Sequence, residues 1–247
     1  LIVGQTKSFA NNNGDILCMK VAANGNLLWS KVLGLGSANG DLGMDIIETT
    51  DGGYAFSGII NVNGTVADAV VTKLDNLANV VWSKRFDRGD GEDGVGILQK
   101  QDTLIVGIDL QNTTANYELV LMKLRLTDGA FIMSKKITPD VRGLFNSYVL
   151  RDPVQPGYII STHTIENSSY ADMKHTVIRV DEDFNIRKSQ LFSFNPVTND
   201  FYTGLAVLPN GSVIGTASSQ TNADGYIYRI NEDNTGVFIK RFNAPTD

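Results

Sequence analysis

Between positions 87 and 94 the chain reads Asp-Arg-Gly-Asp-Gly-Glu-Asp-Gly. Carboxylates on a glycine-rich segment are the oxygen donors that Ca2+ selects. Asp87, Asp90, Glu92 and Asp93 therefore form the candidate metal site, with Ca2+ as its ion. The segment lacks the fixed ligand pattern of a dedicated calcium loop, and its plainer role is a solvated turn between structural units. Gly89, Gly91 and Gly94 reproduce the nominal dinucleotide-binding spacing. Three acids among them would repel a pyrophosphate, and the residues that follow read as a strand instead of a helix, which removes that assignment. Arg88-Gly89-Asp90 also spells an integrin-binding tripeptide, a match too short to carry weight.

The two histidines, His163 and His175, end and begin consecutive strand-like segments. A hairpin would bring them together, with Asp172 on the intervening loop. Such a trio could ligate a transition metal, although the spacing better suits a polar pair at a sheet edge. Glycoside chemistry needs two facing carboxyl groups, and Asp41, Asp45, Asp93 and Asp200 are the residues available for it. The sequence holds none of the zinc-hydrolase, serine-hydrolase, dithiol or phosphate-loop motifs. With both histidines in one divergent region, a Ser-His-Asp triad has poor raw material. No catalytic residue is assigned, and no cofactor beyond Ca2+.

Cys18 is the single cysteine, so it forms no internal disulfide. It falls at a recurring apolar position and reads as a buried structural thiol. Asn63, Asn112, Asn167 and Asn210 each begin an Asn-x-Ser/Thr acceptor, the first three in equivalent loops. A glycan on that rim is expected if the source attaches N-glycans.

Composition narrows the partners. A chain of 247 residues with net charge −6 and pI near 4.9 is a poor match for nucleic acid or anionic membrane surfaces. No apolar run approaches the roughly 18 residues of a membrane span. With 42% hydrophobic and 19% charged residues, this is an ordinary globular composition.

The elements that must hold these groups come from a repeat. Lys20, Lys73, Lys123, Arg179 and Arg229 recur at intervals of 50 to 56 residues, each followed by an aliphatic residue. Five positions before them stand Asp15, Asp68, Glu118, Lys174 and Asp224. Nine or ten after them stand Trp29, Trp82, Met133, Lys188 and Phe238, so the fourth copy departs most. Iteration at this period marks a repeat architecture. Within a copy, a short apolar segment such as Tyr54–Ile60 follows the turn Asp51-Gly52-Gly53. A nearly continuous apolar run such as Ala69–Leu74 comes next, and a third segment such as Val80–Phe86 follows another turn. A glycine-bearing strand such as Met44–Glu48 lies between copies. Recurrence at three and four residues is missing, so no helix of consequence is expected. The tryptophans sit in register with Met133 and Phe238, which makes them docking residues between units, not a stacking platform for a ligand.

These observations predict an all-β fold, a β-propeller of four-stranded antiparallel blades with about five repeats visible, near 1–41, 42–93, 94–143, 144–200 and 201–247, in a single domain. The first copy lacks one strand, which leads us to expect a segment of a longer polypeptide.

The run Asp41-Leu-Gly-Met-Asp-Ile-Ile-Glu-Thr-Thr-Asp-Gly-Gly-Tyr-Ala-Phe-Ser-Gly58, then Asp68-Ala-Val-Val-Thr-Lys-Leu-Asp75 and Asn79-Val-Val-Trp-Ser-Lys84, resembles the propeller repeat of large secreted and cell-surface proteins. It is more distantly similar to the tryptophan-bearing blades of quinoprotein dehydrogenases. The resemblance covers almost the whole chain and carries over no catalytic residue. It implies an extracellular or cell-surface, non-enzymatic scaffold, adhesive or protein-interaction module, with a carbohydrate-binding or carbohydrate-active propeller as the alternative. The partner, protein or glycan, is not named by it. Ligands are expected on the loops 34–41, 87–94, 138–143 and 195–200.

Overall fold

Glycine and asparagine turns punctuate apolar segments throughout the chain, and the folded molecule is strand and turn accordingly. The structure, a computed structural model, describes residues 1–8, 14–34, 40–61, 67–88, 91–111, 117–138, 143–165, 173–192, 200–219, 225–235 and 237–242. Among them there is no helix, and hence none long and apolar enough to cross a membrane.

The described strands form five antiparallel sheets, each a run of consecutive neighbours. Sheet 1 holds β1 (Ile2–Thr6), β2 (Asp15–Val21) and β3 (Leu27–Leu33). Sheet 2 holds β4 (Leu42–Glu48), β5 (Tyr54–Ile60), β6 (Asp68–Leu74) and β7 (Val80–Phe86). Sheet 3 holds β8 (Gly91–Lys100), β9 (Thr103–Gln111), β10 (Tyr117–Arg125) and β11 (Phe131–Ile137). Sheet 4 is β12 (Leu144–Arg151), β13 (Tyr158–Ile165), β14 (Met173–Val180) and β15 (Ile186–Phe192). Sheet 5 is β16 (Asp200–Val207), β17 (Val213–Ser219), β18 (Gly225–Ile230) and β19 (Val237–Phe242). β8 departs most from expectation: it begins at Gly91, so half of the acidic segment read as a turn is strand. The reason is the ladder with β9, where Gly91 to Gly94 pair with Gln111 to Ile108, and Glu92 N also bonds Ala67 O of the preceding sheet at 2.8 Å.

The chain divides into two compact units, one of Leu1–Thr113 with Val120–Lys135, the other of Thr114–Leu119 with Lys136–Asp247. In the first, Ile16 and Cys18 of sheet 1 pack with Tyr54, Phe56, Val70 and Leu74 of sheet 2. Ala55, Ala69 and Val71 of sheet 2 pack in turn with Ile97, Leu104, Val106 and Val120 of sheet 3. In the second, Ile159 and Val177 of sheet 4 pack with Val213, Ala217 and Tyr226 of sheet 5. Every residue of β6 is buried, as a largely apolar strand covered on both faces must be, and its charged residues Asp68 and Lys73 are ion-paired.

Face-to-face packing this close depends on missing side chains. A Cβ on Gly94 of β8 would stand 2.7 Å from Gly58 O and 3.0 Å from Gly58 N. Only glycine lets β8 lie against β5 there.

Candidate functional site

The repeated cation and the tryptophan position turn out to be cross-strand partners. Lys20 stands opposite Trp29, Lys73 opposite Trp82, Arg179 opposite Lys188 and Arg229 opposite Phe238. The first three cations meet a carboxylate: Lys20 bonds Glu48 at 3.1 Å, Lys73 bonds Asp51 at 3.0 Å, and Arg179 reaches Asp152 at 3.5 Å. Arg179 also donates to Asn234 Oδ1 and Gly211 O, tying sheet 4 to sheet 5. Burial lowers its pKa, with Asp152 opposing that shift. The Trp82 indole donates to Leu126 O of sheet 3 at 2.9 Å. Trp29 packs on Tyr54 with ring centroids 5.0 Å apart. Lys20, Trp29, Trp82 and Arg179 join neighbouring sheets, whereas Lys73 meets its acid within sheet 2.

Of the acidic segment, the fold gathers Asp87 and Glu92 with Asp68, which sequence reading did not include. One carboxylate oxygen from each lies within 4.8 Å of the others. Strand alternation explains the choice. Glu92 turns inward and is 1% exposed, while Asp93 takes the opposite face of β8. Asp90 lies outside the described residues. Arg85 Nε bonds Asp68 at 2.6 Å and its second guanidinium nitrogen bonds Asp87 at 2.8 Å, so this cluster carries its own cation. Glu92 Oε1 accepts from Arg88 N at 2.9 Å. A cavity of about 230 Å³ opens beside it, with Ile108, Leu110, Val120 and Met122 as an apolar floor. Asp68, Asp87 and Glu92 are the residues able to hold a hard cation, in competition with Arg85.

Asp93 has a different neighbour, one the spacing alone did not reveal. It is the direct partner of Asp109 across β8 and β9, which puts both carboxyl groups on one sheet face. Burial raises the pKa of Asp93. Asp41 and Asp45 are engaged with backbone. Asp41 Oδ1 accepts from Asn61 N at 3.2 Å, and Asp45 Oδ2 accepts from Ile97 N at 3.0 Å, linking β4 to β8. Burial also raises Asp45, against the pull of that bond. The side chain of Asp200 is not among those described. The offset of Asp41 and Glu92 from Lys73 and Lys123, 32 and 31 residues, was the available signal for a repeated latch. Asp41 N bonds Gly14 O just as Glu92 N bonds Ala67 O.

His163 and His175 are direct partners on β13 and β14. They occupy the interior of sheet 4, not an edge, and are 2% and 1% exposed. His175 Nε2 lies 3.2 Å from Ser161 Oγ, and its ring packs on Tyr228. Burial first, and His163 second, push the His175 pKa well below its ordinary value. Asp172 lies outside the described residues, as do Asn63, Asn112 and Asn167. Asn210 is an exposed turn residue whose side chain accepts from Ser212 N at 3.1 Å. Cys18 is fully buried, and burial pushes its thiol up to about 12.

No protein-family model matches the chain, and no curated protein matches it in sequence. Solved structures do match it in fold. The subtype N10 neuraminidase-like protein of A/little yellow-shouldered bat/Guatemala aligns at TM-score 0.58 and 10% identity, over 93% of this chain and 74% of that one. The Dos1 propeller aligns at 0.54 and 11% identity, over 97% of this chain and 57% of its own. A puromycin hydrolase aligns at 0.60 and 11% identity, over 96% of this chain and 36% of its own. Identities this low speak to fold alone, and the fold is an all-β propeller of antiparallel blades.

Proposed function

We propose that this chain is a non-enzymatic propeller module of an extracellular or cell-surface protein, serving as a structural or adhesive scaffold or a protein-interaction module. The supporting observation is how its candidate acids are used. Asp41 and Asp45, two of the four carboxylates available for glycoside chemistry, accept backbone N–H groups that hold the blades. Acids bound in this way contribute to architecture, each satisfying a backbone donor with one of its two oxygens. The extracellular setting and the kinship with secreted propeller repeats rest on the Asp-Gly-Gly-Tyr and Trp-Ser-Lys sequence pattern. Asn210, exposed on a turn, is accessible to glycosylation in that setting.

A carbohydrate-active propeller is the second reading, favoured by Asp93 and Asp109 standing opposite each other on β8 and β9. A glycan array run beside a hydrolysis assay on the same sugars separates the two. Binding or silence without product release fits the scaffold. Turnover abolished by Asp93→Asn or Asp109→Asn overturns it.

A further inference from the structure

The last strand of every sheet, β3, β7, β11, β15 and β19, is a sheet edge. Each carries Lys or Arg and none carries Asp or Glu, in a chain whose net charge is −6. Three of the five, β3, β7 and β11, also open on an exposed apolar pair. Val80 and Val81 are 45% and 54% exposed, and Phe131 and Ile132 are 61% and 47% exposed. β7 shows the arrangement most fully. The ladder slips once between Val80 and Trp82, then runs in unbroken register from Trp82 to Phe86. Ser83, Lys84 and Arg85 are exposed along that stretch, and since Arg85 is held by Asp68 and Asp87, Lys84 is the cation this edge offers a partner. Beyond the slip, the outward backbone N–H and C=O groups form the sheet's outer edge beside Lys84.

A basic edge repels its own copy, because like charges would face each other across the new ladder. The same charges attract an acidic strand. Building on the scaffold reading, we propose that these edges, β7 foremost, take an extended acidic segment of a partner polypeptide as an added strand. Main-chain bonds form along Trp82–Phe86, carboxylates face Lys84, and an apolar side chain rests on Val80 and Val81. A linear ladder of main-chain donors and acceptors fits an extended chain better than a flat lipid surface or a coiled polysaccharide.

The probe is a fluorescein-labelled peptide of alternating Glu and Val, followed by fluorescence anisotropy. Its controls are a peptide of equal charge with Pro at alternate positions, dextran sulfate, and phosphatidylserine vesicles. The Glu-Val peptide binds, the Pro peptide does not, and Lys84→Glu weakens binding about tenfold at low ionic strength. An unchanged far-ultraviolet spectrum and melting temperature confirm that the variant is folded, and Lys84→Arg retains binding. Absence of peptide binding overturns the proposal, as does equal binding of the Pro peptide or a preference for dextran sulfate or vesicles. The scaffold reading fails by a separate result, sugar turnover, so the two are distinguishable.

Discussion

β4 and β7 border the same sheet from opposite sides. β4 packs on β1 and β2 of the sheet before it and on β8 of the sheet after it. It carries Asp45 and Glu48, with Asp45 bonded to the backbone of β8. β7 ends the sheet with no further strand paired to it among the described residues, and carries Lys84 and Arg85 beside two exposed valines. Both are seven-residue edges, and neither is left as an unguarded ladder. Packing covers one and charge guards the other. An edge strand's composition therefore reports what lies next to it more than its own propensity.

The sharpest break in that comparison comes from adding bulk to the covered side. Gly43→Val on β4 drives a side chain into Val3 and Ile16 of the sheet before it, and a loss of about 3 kcal/mol in denaturant unfolding is expected. Lys84→Ala on the open side should shift the same midpoint by less than about 0.5 kcal/mol. If the two losses were similar, the distinction between the edges would fail.

The interior of sheet 4 supplies a pH test. An unfolded His titrates near its ordinary value, whereas His175 is held neutral by burial and by His163. Below pH ~6.5 the unfolded chain takes up a proton that the folded chain refuses. Stability present above that pH is lost as pH falls toward the depressed folded value, by up to about 1.4 kcal/mol per pH unit. His175→Gln should flatten a plot of melting temperature against pH between 6.5 and 5. An unchanged slope would place the sensitivity elsewhere.

Two tryptophans at matching places give a subtler contrast. Trp82→Phe removes a bond to Leu126 O and should cost about 1 kcal/mol beyond the change in packing. Trp29 Nε1 has no acceptor among the described residues, so Trp29→Phe should cost less than Trp82→Phe by that margin. Chemical denaturation of both variants measures the difference. At the small end, Cys18 should resist thiol reagents at pH 8 in the native state and react on unfolding.

Much of the blade plan was legible because each device repeats. Turn glycines, the cation and the aromatic position recur in step, and a repeated hydrophobic strand carries its burial with it. The site was less so. Asp87 and Glu92 were visible as neighbours in sequence, but Asp68 joins them from a strand nineteen residues upstream of Asp87, and Arg85 enters between Asp68 and Asp87. Asp93 left that group for Asp109 because side chains alternate along a strand. The histidines were correctly paired in sequence as a hairpin pair, yet their burial depends on sheet 5, which supplies Tyr228.

By itself the amino-acid order determined which residues become strands, where they turn, and which cation faces which aromatic across a hairpin. Those are short-range matters, set by backbone stereochemistry and by a period of two. Only the tertiary structure decided which carboxylates meet and which edge is covered. Such contacts join strands from different hairpins, and their geometry depends on a register and close approach that no local pattern encodes.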